Sequence, residues 1–160
     1  MSVRRRYFLS YLGLFKNAAP GSLIIDSSTI SPTVAMALNT NARNYKMTYV
    51  VAPVSGGVGG AAAGTLTFMV GAENNAIFDT VKPILEGMGK NIFNCSKIGA
   101  GQIAKVCNNM ALAIEMIGIS EALALGKTLG MDEKILTNIM KVSSSRCWSI
   151  DTYNPAPGVM

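Results

Sequence analysis

The most chemically capable spacing in the chain joins Lys105 and Asn109, four residues apart in a helically patterned stretch, to a glycine-rich run opened by Ser55, Gly56 and Gly57. Side chains at i and i+4 share a helix face, so an amine and a carboxamide placed there can reach one reacting atom. Successive backbone N–H groups in a glycine-rich turn can cradle a carboxylate, and the missing side chains let a ligand approach closely. An amine near a helix N-terminus and partly buried is expected to have a lowered pKa, which makes it a usable base. Spacing by itself is served more economically by a solvated lysine and a capping or interhelical asparagine, so the pairing needs independent support.

Composition narrows the remaining chemistry. Histidine is absent, which removes Ser-His-Asp and Cys-His nucleophiles and HExxH metal sites. Proton transfer therefore falls to Lys, Tyr, Cys or a carboxylate. The three cysteines, Cys95, Cys107 and Cys147, form no CxxC pair, so neither a disulfide framework nor a zinc cluster is expected and a reducing compartment fits. The formal charge of +5 is concentrated at the start: Arg4, Arg5, Arg6 and Lys16 precede the first acid, Asp26, and the rest carries ten bases against nine acids. A nearly neutral body offers no phosphate-tracking stripe, so nucleic acid is not an expected partner. The acid-free, arginine-led first 25 residues resemble a mitochondrial presequence or a short non-native start. Met110 to Leu125 is apolar but carries Glu115 and Glu121, which argues against a bilayer span and a membrane partner.

Short apolar runs bounded by turn residues predict strands at 22–26, 48–54, 65–70 and 91–95. Ser31 followed by Pro32 predicts a capped helix to about Asn44, and Ile77 to Met88 a second helix containing Pro83, which should remove one hydrogen bond and could kink it. Ser55 to Gly64 holds five glycines in ten residues and reads as a loop with at most a short helical turn. From Gly101 the pattern becomes a long helix, apolar nearly all round, ending at Gly130; Asp132 caps another through Val142. The order suits a ferredoxin-like sandwich and equally the trailing half of a doubly wound sheet.

Two runs, Gly57 to Ala62 and Gly99 to Ala104, match the relaxed dinucleotide pattern GxGxxA. Neither is expected to bind a pyrophosphate, since that loop works inside a βαβ unit and no strand follows the helix after Gly101.

Five ordered runs resemble the 3-hydroxyisobutyrate dehydrogenases, β-hydroxyacid dehydrogenases related to 6-phosphogluconate dehydrogenase: 21–30 (GSLIIDSSTI), 52–58 (APVSGGV), 64–71 (GTLTFMVG), 99–109 (GAGQIAKVCNN) and 146–160 (RCWSIDTYNPAPGVM). The resemblance implies α/β followed by all-α: the C-terminal part of a Rossmann-type NAD-binding domain over 22–98, then, over 99–160, the start of a helical domain opened by the long helix. Residues 1–21 are assigned to the presequence-like start. It implies Lys105 as the catalytic lysine, Asn109 as its partner at the substrate hydroxyl, Ser55, Gly56 and Gly57 as the carboxylate cradle, and Thr29 near the nicotinamide of NAD, with NADP not excluded. No metal site is implied. The implied reaction is NAD-dependent oxidation of 3-hydroxyisobutyrate to methylmalonate semialdehyde in valine catabolism, with a mitochondrial location, and otherwise a cytoplasmic one.

Three departures qualify the carry-over. The family's GxGxMG phosphate loop has no counterpart before Gly13, the family's later helices and further lysine have none here, and Val51 stands where the family usually has Asp. A fragment of the enzyme is therefore expected. The competing expectation is a non-catalytic module that pairs through the apolar long helix, and a homo-oligomer formed through that helix is expected under either view.

Overall fold

The computed structural model describes residues 13–159, so the expectation placed on Arg4 to Arg6 and the apolar residues through Leu12 lies outside the described residues. The chain divides into two compact units, Met1–Val106 and Cys107–Met160.

In the first unit, β1 (Leu23–Asp26), α1 (Pro32–Asn44) and β2 (Thr48–Val51) make a βαβ element whose strands pair in parallel, Leu23 opposite Thr48 and Asp26 opposite Val51. Alternation in β2 explains its layers, because successive side chains point to opposite faces. Tyr49 and Val51 pack with Val34 and Leu38 of α1, whereas Val50 packs in a second cluster with Val81 and Leu85 of α3 (Asn75–Glu86). A strand buried on both faces by helices is the mark of a doubly wound sheet, as one of the two expected arrangements required.

The predicted strand over 48–54 is two strands. β2 ends at Val51, and β3 (Val54–Ser55) pairs antiparallel with β4 (Leu66–Val70). The break falls at Ala52 and Pro53: the Ala52 N–H still donates to Asp26 O, but proline has no N–H to continue the ladder. β4 then pairs in parallel with β5 (Gly89–Asn94) across α3. Two helix-crossed parallel pairs remove the ferredoxin-like alternative.

Local signals are partly as expected. Pro83 sits inside α3 on its exposed side, so the carbonyl that it leaves unbonded is open to water. Asn74 caps α3 by accepting from Ile77 N–H. Ser31 precedes α1 without capping it, because its hydroxyl is hydrogen-bonded to that of Thr33. The glycine run contains α2 (Gly57–Ala62), longer than the single turn expected.

α4 spans Ala100–Thr128. Its beginning belongs to the first unit, where Gly101 lies so close to the end of β4 that a Cβ there would collide with the Met69 carbonyl oxygen. In the second unit, α5 (Glu133–Val142) is capped by Asp132, which accepts from Lys134 and Ile135 N–H. A short α6 (Trp148–Thr152), not anticipated from the sequence, follows. Ile119, Leu123, Met140 and Ile150 form this unit's core.

Candidate active site

α4 carries Lys105 in its second turn, and Lys105 Nζ donates to Ser55 Oγ at 2.7 Å. Ser55 ends β3, opposite Thr67 of β4, so its position is set by sheet register. Gly56 and Gly57 follow with φ of +136° and +61°, consecutive values that side chains rarely adopt. At Gly56 a Cβ would also meet the Leu66 side chain at 2.9 Å. The glycines thus permit a turn that delivers Ser55 to the lysine and starts α2 immediately afterwards.

Burial lowers the Lys105 pKa below the ordinary lysine value, because lost hydration disfavours the ammonium. The direction is as the spacing predicted. The cause is desolvation, and a position past the first helical turn leaves little for the macrodipole to add. Asn109 lies one turn further along α4, exposed and in the second unit.

The loop after β1 is organised by two buried polar side chains. Asp26 is buried; its Oδ1 accepts from Ser28 N–H at 2.9 Å and its Oδ2 from the Tyr49 hydroxyl at 2.6 Å. Gln102, fully buried in the first turn of α4, accepts from Ile30 N–H at 3.0 Å and donates to Ser28 O at 2.8 Å. Thr29 is left exposed between these anchored residues. Sequence reading found Thr29 only through the family resemblance and missed Gln102, whose sole signal was an amide at the start of a mostly apolar helix.

The loop suits a nucleotide cofactor in position and polarity: it lies at the carboxyl end of a parallel strand, where doubly wound sheets bind ligands, and exposes three hydroxyl residues, Ser27, Ser28 and Thr29. Of the two GxGxxA runs, one is helical throughout and the other opens a helix. Gly57 to Ala62 is α2, and α4, which begins within the other run, is followed by no strand among the described residues. No group of three or more metal-ligating side chains occurs among the described residues. An open depression of about 340 Å³ in the second unit, lined in part by Glu115, Met140, Arg146 and Cys147, includes none of these site residues.

Comparison with known proteins gives two adjoining family matches: the NAD binding domain of 6-phosphogluconate dehydrogenase over residues 3–99, and the NAD-binding of NADP-dependent 3-hydroxyisobutyrate dehydrogenase over 99–158. A probable mitochondrial 3-hydroxyisobutyrate dehydrogenase of Dictyostelium discoideum is 52% identical over 92% of this chain and 46% of its own length. An NAD-dependent L-serine dehydrogenase of Pseudomonas aeruginosa is 51% identical over 92% of this chain and 49% of its own. The solved structure of Mycobacterium tuberculosis 3-hydroxyisobutyrate dehydrogenase with L-serine matches with a TM-score of 0.85 and 43% identity, covering 99% of this chain and 53% of that one. The chain spans about half the length of the curated relatives it matches.

Proposed function

The chain belongs to the 3-hydroxyisobutyrate dehydrogenase family of NAD-binding oxidoreductases, and from that premise we propose that it carries the substrate and proton-transfer half of an enzyme oxidising 3-hydroxyisobutyrate to methylmalonate semialdehyde. The observation that carries this reading is the hydrogen bond from Lys105 to Ser55. It joins an amine of lowered pKa to a glycine turn suited to a carboxylate, the two groups that a 3-hydroxy acid requires.

In this reading Ser55, Gly56 and Gly57 receive the substrate carboxylate. Lys105 accepts the hydroxyl proton and stabilises negative charge on that oxygen. Asn109 partners the lysine at the hydroxyl. Thr29 contacts the nicotinamide end of NAD, or of NADP, and the bound cofactor supplies the hydride acceptor. Histidine takes no part on this chain, which has none.

L-Serine, which the Pseudomonas relative's name assigns to it, shares with 3-hydroxyisobutyrate a primary alcohol β to a carboxylate. It differs in bearing an ammonium in place of a methyl group. The same cradle and lysine suit both, and the family names favour the hydroxy acid. We read the location as mitochondrial, supported by mitochondrial relatives and the arginine-led start, and place the reaction in valine catabolism; the domain limits read above, 22–98 and 99–160, belong to the same proposal.

α4 also supports pairing between copies. By length and composition alone it could cross a membrane, and only 11% of its most apolar window is buried, so its apolar length is left uncovered. Met110, Ile114, Ile117 and Leu125 are each 60–63% exposed. Cover by protein, a second copy included, accounts for that apolar length within a dehydrogenase family. The same exposed surface favours the second reading, a non-catalytic pairing module.

The test is reduced-nicotinamide formation with 3-hydroxyisobutyrate or L-serine and NAD⁺ or NADP⁺. Turnover with 3-hydroxyisobutyrate and NAD⁺ supports the proposal. Binding of neither cofactor together with self-association supports the pairing module.

A further inference from the structure

Gln102 is the one polar side chain of α4 that is wholly enclosed, with no exposed surface at all. Its orientation is fixed by what it meets: Ile30 N–H can only donate and Ser28 C=O can only accept, so the carboxamide oxygen faces the first and its nitrogen the second. The side chain acts as a short strand partner for residues 28 and 30, and the residue between them is Thr29. Asp26 holds Ser28 from the other side. The Ile30 side chain is itself buried in the core with Val34 and Leu38. Exposed Thr29 therefore sits on a rigid frame instead of a free loop.

The same helix turn governs the substrate side. Gln102 and Lys105 are three residues apart and so share a face of α4. Lys105 reaches Ser55 on that helix while Gln102 reaches the loop after β1. A rigid helix gripping both places them at a constant separation, which hydride transfer requires because reacting atoms must be held within a narrow range. We propose that Gln102 is a positioning residue: by clamping Ser28 and Ile30 to the first turn of α4, it sets the nicotinamide-side turn at Thr29 in register with the proton-accepting Lys105. This rests on the dehydrogenase reading above, and it adds a residue that touches neither substrate nor reacting atoms.

The experiment compares Gln102→Glu and Gln102→Leu with the unmodified chain in NADH and NADPH binding followed by fluorescence, in turnover, and in thermal unfolding. Glutamate keeps the shape and the acceptor for Ile30 but turns a carboxylate oxygen towards Ser28 O. Burial raises a carboxyl pKa above its ordinary value, so the protonated form, able to donate to Ser28 O, returns as pH falls through that raised pKa. The charged groups on the joined elements are Asp26 on the loop side and Lys105 on the helix, and the unmodified chain run at the same pH values accounts for both.

The expected result is about tenfold weaker NADH binding by Gln102→Glu at neutral pH, on the scale of one lost buried hydrogen bond. Binding by this variant should recover as pH falls, with no such recovery in the unmodified chain. In turnover kcat should fall and KM for the hydroxy acid should stay within about twofold, because the Ser55 contact is untouched. Gln102→Leu should lose cofactor affinity at every pH. If Gln102→Glu binds NADH as the unmodified chain does, or shows no recovery at low pH, or if the variants lose only thermal stability, the inference fails and the dehydrogenase reading stands. If the unmodified chain binds neither NADH nor NADPH, the reading itself falls and takes the inference with it.

Discussion

Lys105 Nζ and Ser55 Oγ meet at 2.7 Å although the residues stand 50 positions apart. The contact depends on three local features: sheet register at Ser55, the positive-φ glycines after it, and the close seating of α4 at Gly101.

Activity and stability should respond to pH through the same amine. The Lys105 pKa is lowered in the folded chain by burial, so turnover needing the neutral amine should rise with pH and level off below the ordinary lysine value of about 10.4. Between the folded and unfolded pKa values the unfolded chain binds more protons, so stability gains with rising pH there. Below the folded pKa the cost of the buried charge is felt in full. Lys105→Met should therefore compare best with the unmodified chain in Tm at low pH and lose that relative advantage towards the free lysine value. Thermal scans across pH check this, and a difference that does not vary with pH would contradict it.

Ser55→Ala should raise KM for the hydroxy acid more than it lowers kcat. A carboxylate contact is nearly the same in ground and transition states, so its loss weakens binding without adding to the chemical barrier. Steady-state kinetics at saturating cofactor distinguish this from a mainly kcat effect, which would place Ser55 at the reacting oxygen.

Gly101→Ala should destabilise the fold by about 1–3 kcal/mol, the usual scale of overpacking. The added methyl would strike backbone at Met69, which cannot rotate away as a side chain could. Activity should fall with stability, because displacing the first turn of α4 moves both Gln102 and Lys105. Urea unfolding of this variant provides the measurement, and a change within about 0.5 kcal/mol, the range of surface substitutions, would contradict the close seating.

Replacing Ile114 and Ile117 by glutamate should reduce self-association without loss of helicity. Both side chains are more than 60% exposed, and charge on an interface core disfavours its burial. Sedimentation velocity at micromolar concentrations is the readout. An unmodified chain that sediments as a single monomer would contradict pairing through α4.

The sequence revealed what is local and periodic. Lys105 could be singled out because its helix announces itself, and α1 because Ser31 and Pro32 mark its start. What stayed hidden was non-local or too short for a period. Gln102 finds its partners 74 and 72 positions away, so no window of sequence contains the interaction. The run from Val50 to Val54 is continuously apolar and shows no sign of changing strands except Pro53. α6 has five residues, fewer than two turns, and gives periodicity nothing to act on. The family resemblance supplied Thr29, which spacing alone did not, and it favoured the carboxylate cradle that the glycine run by itself only allowed.

The most direct measurement is steady-state kinetics of Lys105→Ala with 3-hydroxyisobutyrate and NAD⁺, alongside NADH binding. With Lys105 as proton acceptor, kcat falls by at least about 10²-fold while cofactor affinity is little changed, and Lys105→Arg rescues poorly because a guanidinium stays protonated. A variant in which only KM rises, with kcat intact, would make Lys105 a charge partner for the substrate carboxylate and contradict its role in proton transfer.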